Sequence, residues 1–244
     1  LTSITIGNNV TIGDYAFSMD KSNAFEINSK TENGKKYFFY TFKTALKELT
    51  IGENAVIGEN AFAFAASLEN VTLGANAKIG NMAFYNACSL KNIDLSKVLE
   101  IGDYAFSGDV YYVCMDDGMS IAAITTEGKY MYTYHGPALE RIELNTAATI
   151  GKYSFAYCRE LTDVVLNDQI TVIPEYAFAG CISLVHIDLS KVVTVGDNAF
   201  IEDAALVSVD LSSAESVGEY AFVYCTALEN VKFSQNGTDI GEGA

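Results

Sequence analysis

LENVTLGANAKIGNMAFYNACS, residues 68–89, decides the fold. Its Leu68, Val71 and Leu73 form one frame, L-x-x-[ILV]-x-[LIF], and its Ile79, Gly80, Ala83 and Phe84 form another, [IV]-[GP]-x-x-[AS]-F. Outward from this stretch the first frame recurs, nine times in all, starting at Leu1, Leu46, Leu68, Leu90, Leu139, Leu161, Leu184, Leu206 and Leu228. The second keeps phase with it, placing Phe17, Phe62, Phe84, Phe106, Phe155, Phe178, Phe200 and Phe222. Leu-to-Phe spacing is 16 in seven of these eight turns and 17 in the turn from Leu161, where the extra residue lies between Leu166 and Ile173. Two frames held at one offset are the signature of a stacked repeat.

The chemistry of one turn follows from its residues. In LKELTI, from Leu46, Leu49 and Ile51 alternate with polar neighbours as a half-buried strand requires, and Leu46 closes the same side. Gly52, Gly74, Ser96 and Asn145 let the chain turn out of the strand. Ile57-Gly58 starts the return, and Ala61-Phe62 reads as a short helical turn with Phe62 pointing inward. One turn cannot bury its own apolar side, so neighbours must stack, with equivalent Leu, Ile and Phe side chains in columns. At ~4.8 Å per strand, nine to eleven turns make a rod or shallow arc roughly 45–55 Å long. The expected fold class is an α/β repeat solenoid. It is a right-handed superhelix of short parallel β-strands with short helical or irregular return segments.

The unit resembles the BspA-like class of bacterial leucine-rich repeats, which reads LxxLxL followed by IGxxAFxxC. The resemblance covers nearly the whole chain apart from two inserts. This chain departs from the class where Gly, Ser or Asn follows the strand in place of a frequent Pro, which touches only the local turn. The resemblance implies a secreted or cell-surface bacterial protein that adheres to host or bacterial partners.

Length and composition agree with a single domain, 1–244, read as a piece or processed form of a longer protein because it ends partway through a repeat. Half the residues are hydrophobic and 19% are charged, enough for a sizeable core. A net charge of −16 argues against nucleic acid, since neutralising phosphates needs clustered Lys and Arg. It equally disfavours anionic membrane surfaces. No apolar run of 18 or more residues and no signal segment is present in these residues, so direct membrane insertion is not expected.

Repeat starts are 22 or 23 apart except from Leu1 to Leu46 (45) and from Leu90 to Leu139 (49), which leaves 23 and 27 residues beyond one 22-residue turn. These inserts span about 18–41 and 107–134. Each carries a polar turn between apolar or alternating runs, as a β-hairpin does. A degenerate repeat is the alternative. Hairpins are preferred because neither insert reproduces the leucine frame, and insertions in repeats map to one face, often the binding face. Tyr37, Tyr40, Tyr111, Tyr112, Tyr130, Tyr132 and Tyr134, with Phe38 and Phe39, make the inserts candidate binding elements.

The remaining candidates are weaker. Cys158, Cys181 and Cys225 stand three residues after the repeat Phe, and Cys88 is grouped with them at a small, apolar position also filled by alanines. They read as buried thiols, although a Cys158–Cys181 disulfide between adjacent turns is geometrically conceivable. Cys114, in the second insert, is the candidate reactive thiol. No CxxC pair points to zinc. His186 lies near Asp188 with Ser208 one turn along, but an open array offers no pocket that excludes water, so no catalytic residue is assigned. The mid-strand outward position reads Thr50, Thr72, Asp94, Glu143, Val165, Asp188, Asp210, Lys232. Asp94, Glu143, Asp188 and Asp210 therefore form a candidate acidic stripe for a basic partner. Calcium is not expected, because no D-x-D-x-D-G loop occurs. The glycines of IGENAF recur every turn and lack the phosphate-loop pattern.

These readings point to a non-catalytic recognition module with no metal or cofactor. Its partner would be a host or bacterial surface protein or a glycan. The alternative is a spacer without a ligand of its own, and an enzyme is the third class. With no obvious polar cap at either end, self-association through the end turns is also expected.

Overall fold

The computed structural model describes residues 1–18, 25–32, 35–42, 45–112, 132–145 and 149–244, and within the two inserts only the backbone. The leucine frames form one lane of strands: β1 (Ser3–Ile6), β5 (Glu48–Ile51), β7 (Asn70–Leu73), β9 (Asn92–Ile93), β13 (Arg141–Leu144), β15 (Asp163–Leu166), β17 (His186–Ile187), β19 (Ser208–Leu211) and β21 (Asn230–Phe233). The Ile-Gly frames form a second lane: β2 (Thr11–Ile12), β6 (Val56–Ile57), β8 (Lys78–Ile79), β10 (Glu100–Ile101), β14 (Thr149–Ile150), β16 (Val172–Ile173), β18 (Thr194–Val195), β20 (Ser216–Val217) and β22 (Asp239–Ile240). Every pairing within either lane is parallel, and equivalent residues of successive turns sit opposite one another, as in Leu49↔Val71 and Ile57↔Ile79. The repeat phase read from the sequence is thus the strand register.

The return segment corrects one expectation. Among the described residues there is no helix; Ala61-Phe62 and its equivalents lie in consecutive tight turns. The backbone donors explain why. The N–H groups of Asn60, Phe62 and Phe64 donate sideways to the carbonyls of Asn81, Ala83 and Tyr85 in the next turn, at 2.9, 2.8 and 2.7 Å. A helix would point those groups back along its own axis. Here neighbouring turns outcompete it. Asn60 and Phe64 adopt φ of 54° and 60°, and Tyr104, Tyr153 and Tyr176 adopt 57°, 55° and 55° at the Asn60 position. A left-handed non-glycine residue costs ~1–2 kcal/mol, and the lateral bonds on both sides hold it there.

The interior is a column of aromatic rings. Phe62, Phe84, Phe106, Phe155, Phe178 and Phe200 are fully buried. Successive rings lie nearly parallel with centroids 5.3–5.6 Å apart from Phe62 to Phe222. The interior leucine, isoleucine and valine positions pack round this column, among them Leu49, Ile57, Ile79, Leu90 and Ile187. Close stacking also explains the repeated glycine. A Cβ on Gly80 would stand 2.7 Å from the Ile57 carbonyl oxygen and 2.9 Å from the Gly58 carbonyl carbon.

Both inserts contain antiparallel strand pairs, as the hairpin reading expects. β3 (Phe25–Glu32) pairs with β4 (Lys35–Phe42), and β11 (Asp109–Tyr112) pairs with β12 (Tyr132–His135). Neither adds a turn to the stack. Phe17 stacks on Phe62 at 5.1 Å and Phe106 on Phe155 at 5.5 Å, across the two long gaps in sequence.

Among the described residues each lane is interrupted once. The first lane divides into a sheet ending at β9 and another starting at β13, while the second lane stays paired through β10 and β14. The second lane divides between β14 and β16, while the first stays paired through β13 and β15. This second break falls in the turn from Leu161, whose extra residue displaces the return leg. The first falls where the long second insert rejoins the stack.

Candidate interaction surface

The first-lane strands present an exposed polar face fixed by side-chain ladders. Asn70 Nδ2 donates to Glu48 Oε1 at 2.7 Å, and Asn92 Nδ2 to Asn70 Oδ1 at 2.6 Å. One position earlier, Lys47 and Glu69 form a 2.7 Å ion pair between adjacent turns. Arg141 bridges Glu143 of its own strand and Asp163 of the next. At the far end Lys232 pairs with Asp210 at 2.8 Å. Exposed pairs of this kind contribute only ~0–1 kcal/mol each to stability. Their effect is to hold a charged pattern in place.

The four carboxylates of the sequence-derived stripe lie on this face, and three have a structural task that sequence reading missed. Asp94, Asp188 and Asp210 each accept the backbone N–H two residues on, from Ser96, Ser190 and Ser212, at 2.8, 2.9 and 2.9 Å. These bonds turn the chain out of the strand, so D-L-S takes the place of the T-[IL]-G of the first three turns. Hydrogen bonds from Ser96 lower the Asp94 pKa, and the Ser190 backbone N–H does the same for Asp188. The Lys232 ammonium, followed by Ser212, brings Asp210 down to about 2. Glu143 is lowered chiefly by Arg141 and then by Asn145. All four therefore carry charge at neutral pH.

Of the insert tyrosines, Tyr37 and Tyr40 lie in β4 opposite Lys30 and Ile27, and Tyr111 and Tyr112 lie in β11 opposite Thr133 and Tyr132. Tyr134 is opposite Val110. Tyr130 and Cys114 lie outside the described residues.

The cysteine position holds with one correction. Cys158, Cys181 and Cys225 are free and buried, their thiols donating to the carbonyls of Phe106, Phe155 and Phe200 at 3.3, 3.3 and 3.1 Å. Ala87 fills that place in its own turn, so Cys88 stands one residue beyond it and is only partly buried. Burial pushes the thiols of Cys88 and Cys225 up to about 12, which removes their nucleophilic form. Asp203 occupies the same column, fully buried. Its Oδ1 accepts the Cys181 N–H at 2.8 Å, Oδ2 has no partner, and burial drives its pKa well up.

A second feature escaped sequence reading: Tyr104, Tyr153 and Tyr176 stack face to face on the return edge at 4.4 Å. Burial between its two neighbours raises the Tyr153 phenol well above the usual tyrosine range. The signal was present as Tyr at one position of GDYAF, GKYSF and PEYAF. His186 registers opposite Asp163 and Ser208 on the open strand face, exposed. Among the described residues no group of His, Cys, Asp and Glu is arranged to hold a metal ion.

Parallel strands in two lanes round a phenylalanine column, with a polar strand face, define a leucine-rich repeat solenoid. The family model for the BspA type leucine rich repeat region matches residues 1–112 and 130–244 in six copies. The chain belongs to that family. Its fold is similar to that of a leucine-rich repeat protein from Bacteroides ovatus (22% identity, 93% of this chain and 67% of that one, TM-score 0.44). It is also similar to a leucine rich cell surface protein from Faecalibacterium prausnitzii (20% identity, 95% and 90% covered, TM-score 0.38) and to a leucine-rich repeat protein of T. pallidum (16% identity, 92% and 86% covered, TM-score 0.41). No curated protein matches the chain. Among the described residues no helix is long and apolar enough to cross a membrane.

Proposed function

We propose that this chain is a non-catalytic binding and adhesion module of a secreted or cell-surface bacterial protein. It takes hold of a protein or glycan through the first-lane strand face or the two tyrosine-bearing hairpins. The observation that carries the reading is the strand face itself. It holds Glu48, Asn70 and Asn92 in one ladder of fixed side chains and Arg141 and Asp163 in another, on an open face. The stacked Phe column makes a stiff support for such a surface, and the family membership agrees with protein interaction.

The test is capture on a glycan array and from solubilised host and bacterial surface proteins, comparing the chain with Tyr111→Ala/Tyr132→Ala and Glu143→Ala/Asp188→Asn variants. At least a tenfold loss of a captured partner in one of them, with the melting midpoint unchanged, is expected. No partner for the unmodified chain would leave the spacer reading in its place, and equal capture by all variants would place the binding site away from these residues. The first and last turns also expose apolar groups, Leu1 at 83% and Phe17 at 38% in the first, Phe233 at 44% and Ile240 at 52% in the last. This chain in isolation is therefore proposed to self-associate through them. A strict monomer across a wide concentration range in sedimentation would contradict that.

A further inference from the structure

We propose that the opening between β9 and β13 is a docking slot for one extended peptide strand of a partner protein, taken up by backbone pairing. The inference rests on the binding reading above and narrows it to a place and a partner chemistry.

The slot is a break confined to one lane. Except between β15 and β17, which stay paired without it, each first-lane strand that remains paired with the next has an N–H bond at its entry, as from Lys47 to the Thr2 carbonyl, Glu69 to that of Lys47 and Lys91 to that of Glu69, at 2.9, 2.9 and 3.1 Å. Among the described residues the following bond, into the Lys91 carbonyl, is missing. The series resumes with Thr162 N–H on the Glu140 carbonyl at 2.9 Å. Meanwhile Glu100↔Thr149 and Ile101↔Ile150 stay paired in the second lane, and Phe106 and Phe155 stay stacked. The stack is therefore intact behind the break, which leaves two edges of parallel sheet without a paired strand among the described residues. Such edges present a row of N–H and C=O groups that only another strand satisfies in full.

Size and side chains agree with one strand as occupant. The cleft holds about 540 Å³ and is lined by Asn70, Lys91, Asn92, Ile93, Glu140 and Arg141 among others. Ile93 is half-buried, whereas the equivalent Val71, Ile142 and Val164 of the neighbouring strands are buried. The break has uncovered it. The carboxamide ladder also ends there. Asn92 spends its Nδ2 on Asn70, which leaves its Oδ1 for a donor on the next strand of the lane. Arg141, at that position of β13, is engaged with Glu143 and Asp163 instead. Lys91 and Glu140 flank the entry at the position where Lys47 and Glu69 pair across intact strands, and among the described residues no ion pair joins them. The occupant is thus an extended segment with an apolar side chain over Ile93, a hydrogen-bond donor beside Asn92, and charged or polar groups at its start.

The probe is the capped hexapeptide LKNIDL, the sequence of residues 90–95, which carries the pattern of the lane itself. Its control is the same peptide N-methylated on alternate residues, so that side chains remain and edge donors are lost. Binding is followed by amide shifts and hydrogen exchange in the isotope-labelled chain. Saturable binding that protects Asn92, Ile93 and Arg141–Leu144 is expected, at least tenfold weaker for the N-methylated peptide and several-fold weaker for Ile93→Thr. Ile93→Val, which keeps the apolar cover, should bind as the unmodified chain does. Absence of saturable binding, equal binding of the methylated peptide, or protection confined to the end strands β1 and β21 would overturn the slot. Were a captured surface protein to lose affinity on changing Tyr111 or Asp188 while the peptide failed to bind, the binding function would stand and the slot alone would fall.

Discussion

At the scale of single residues, Asp203 is the sharpest departure from the repeat rule. The same column carries Ala65, Ala87, Cys158, Cys181 and Cys225, all small and apolar, and a carboxyl there is buried with one oxygen unpartnered. Folding raises its pKa above that of the unfolded chain, so the folded state holds a proton that the unfolded state releases. Its contribution is complete below the ordinary aspartate range of ~4 and is lost as pH rises from there through the folded value. Asp203→Ala should therefore stabilise the chain at neutral pH by about 1–3 kcal/mol, the usual penalty of an unsatisfied buried polar group. It should also flatten that part of the pH–stability curve. Thermal melts from pH 4 to 8 check both, and an unchanged slope would contradict them. The sequence shows Asp203 three residues after Phe200 plainly enough; what it could not show is that this place has no route to water.

At the scale of the turn, the strand was readable because a period of two in Leu49 and Ile51 leaves no other face for the core. The return leg was not. Ala61-Phe62 fits a helical turn locally, and only a neighbour ready to accept the Asn60, Phe62 and Phe64 N–H groups converts it into left-handed tight turns. The task of the D-L-S aspartates was hidden for a related reason. Their alternation marks them as outward-facing, while their bond to Ser190 or Ser212 depends on how the chain leaves the strand. Asp188→Ala should cost about 0.5–1.5 kcal/mol, the worth of one such hydrogen bond. Asp188→Asn, which keeps the acceptor, should cost much less. Urea denaturation of the two variants separates this turn-forming role from a purely solvated charge, for which both would be neutral.

At the scale of the whole molecule, the phase of two short frames carried the fold: register, lane order and the aromatic column all follow from it. The inserts were legible as hairpins because polar turns separate their alternating runs, and Asn33-Gly34 between Glu32 and Lys35 is a hairpin signal that strengthens the case. The two lane breaks were half visible. The extra residue after Leu166 pointed to one, but nothing local to residues 92–141 says that the first lane opens while the second stays closed. Function was the least legible level, since an exposed face is selected by its partner and not by the core.

The claim on which the account depends is that energy passes only between adjacent layers. Double-mutant cycles in urea on Phe84 and Phe106, whose rings stack at 5.3 Å, and on Phe84 and Phe200, several layers apart, test it most directly. Each Phe→Ala change alone should cost ~3–5 kcal/mol. The adjacent pair should couple by ~0.5–1.5 kcal/mol and the distant pair should be additive within ~0.5 kcal/mol. Equal coupling in both cycles, or single changes costing less than ~1 kcal/mol where burial demands more, would contradict a column of stacked phenylalanines.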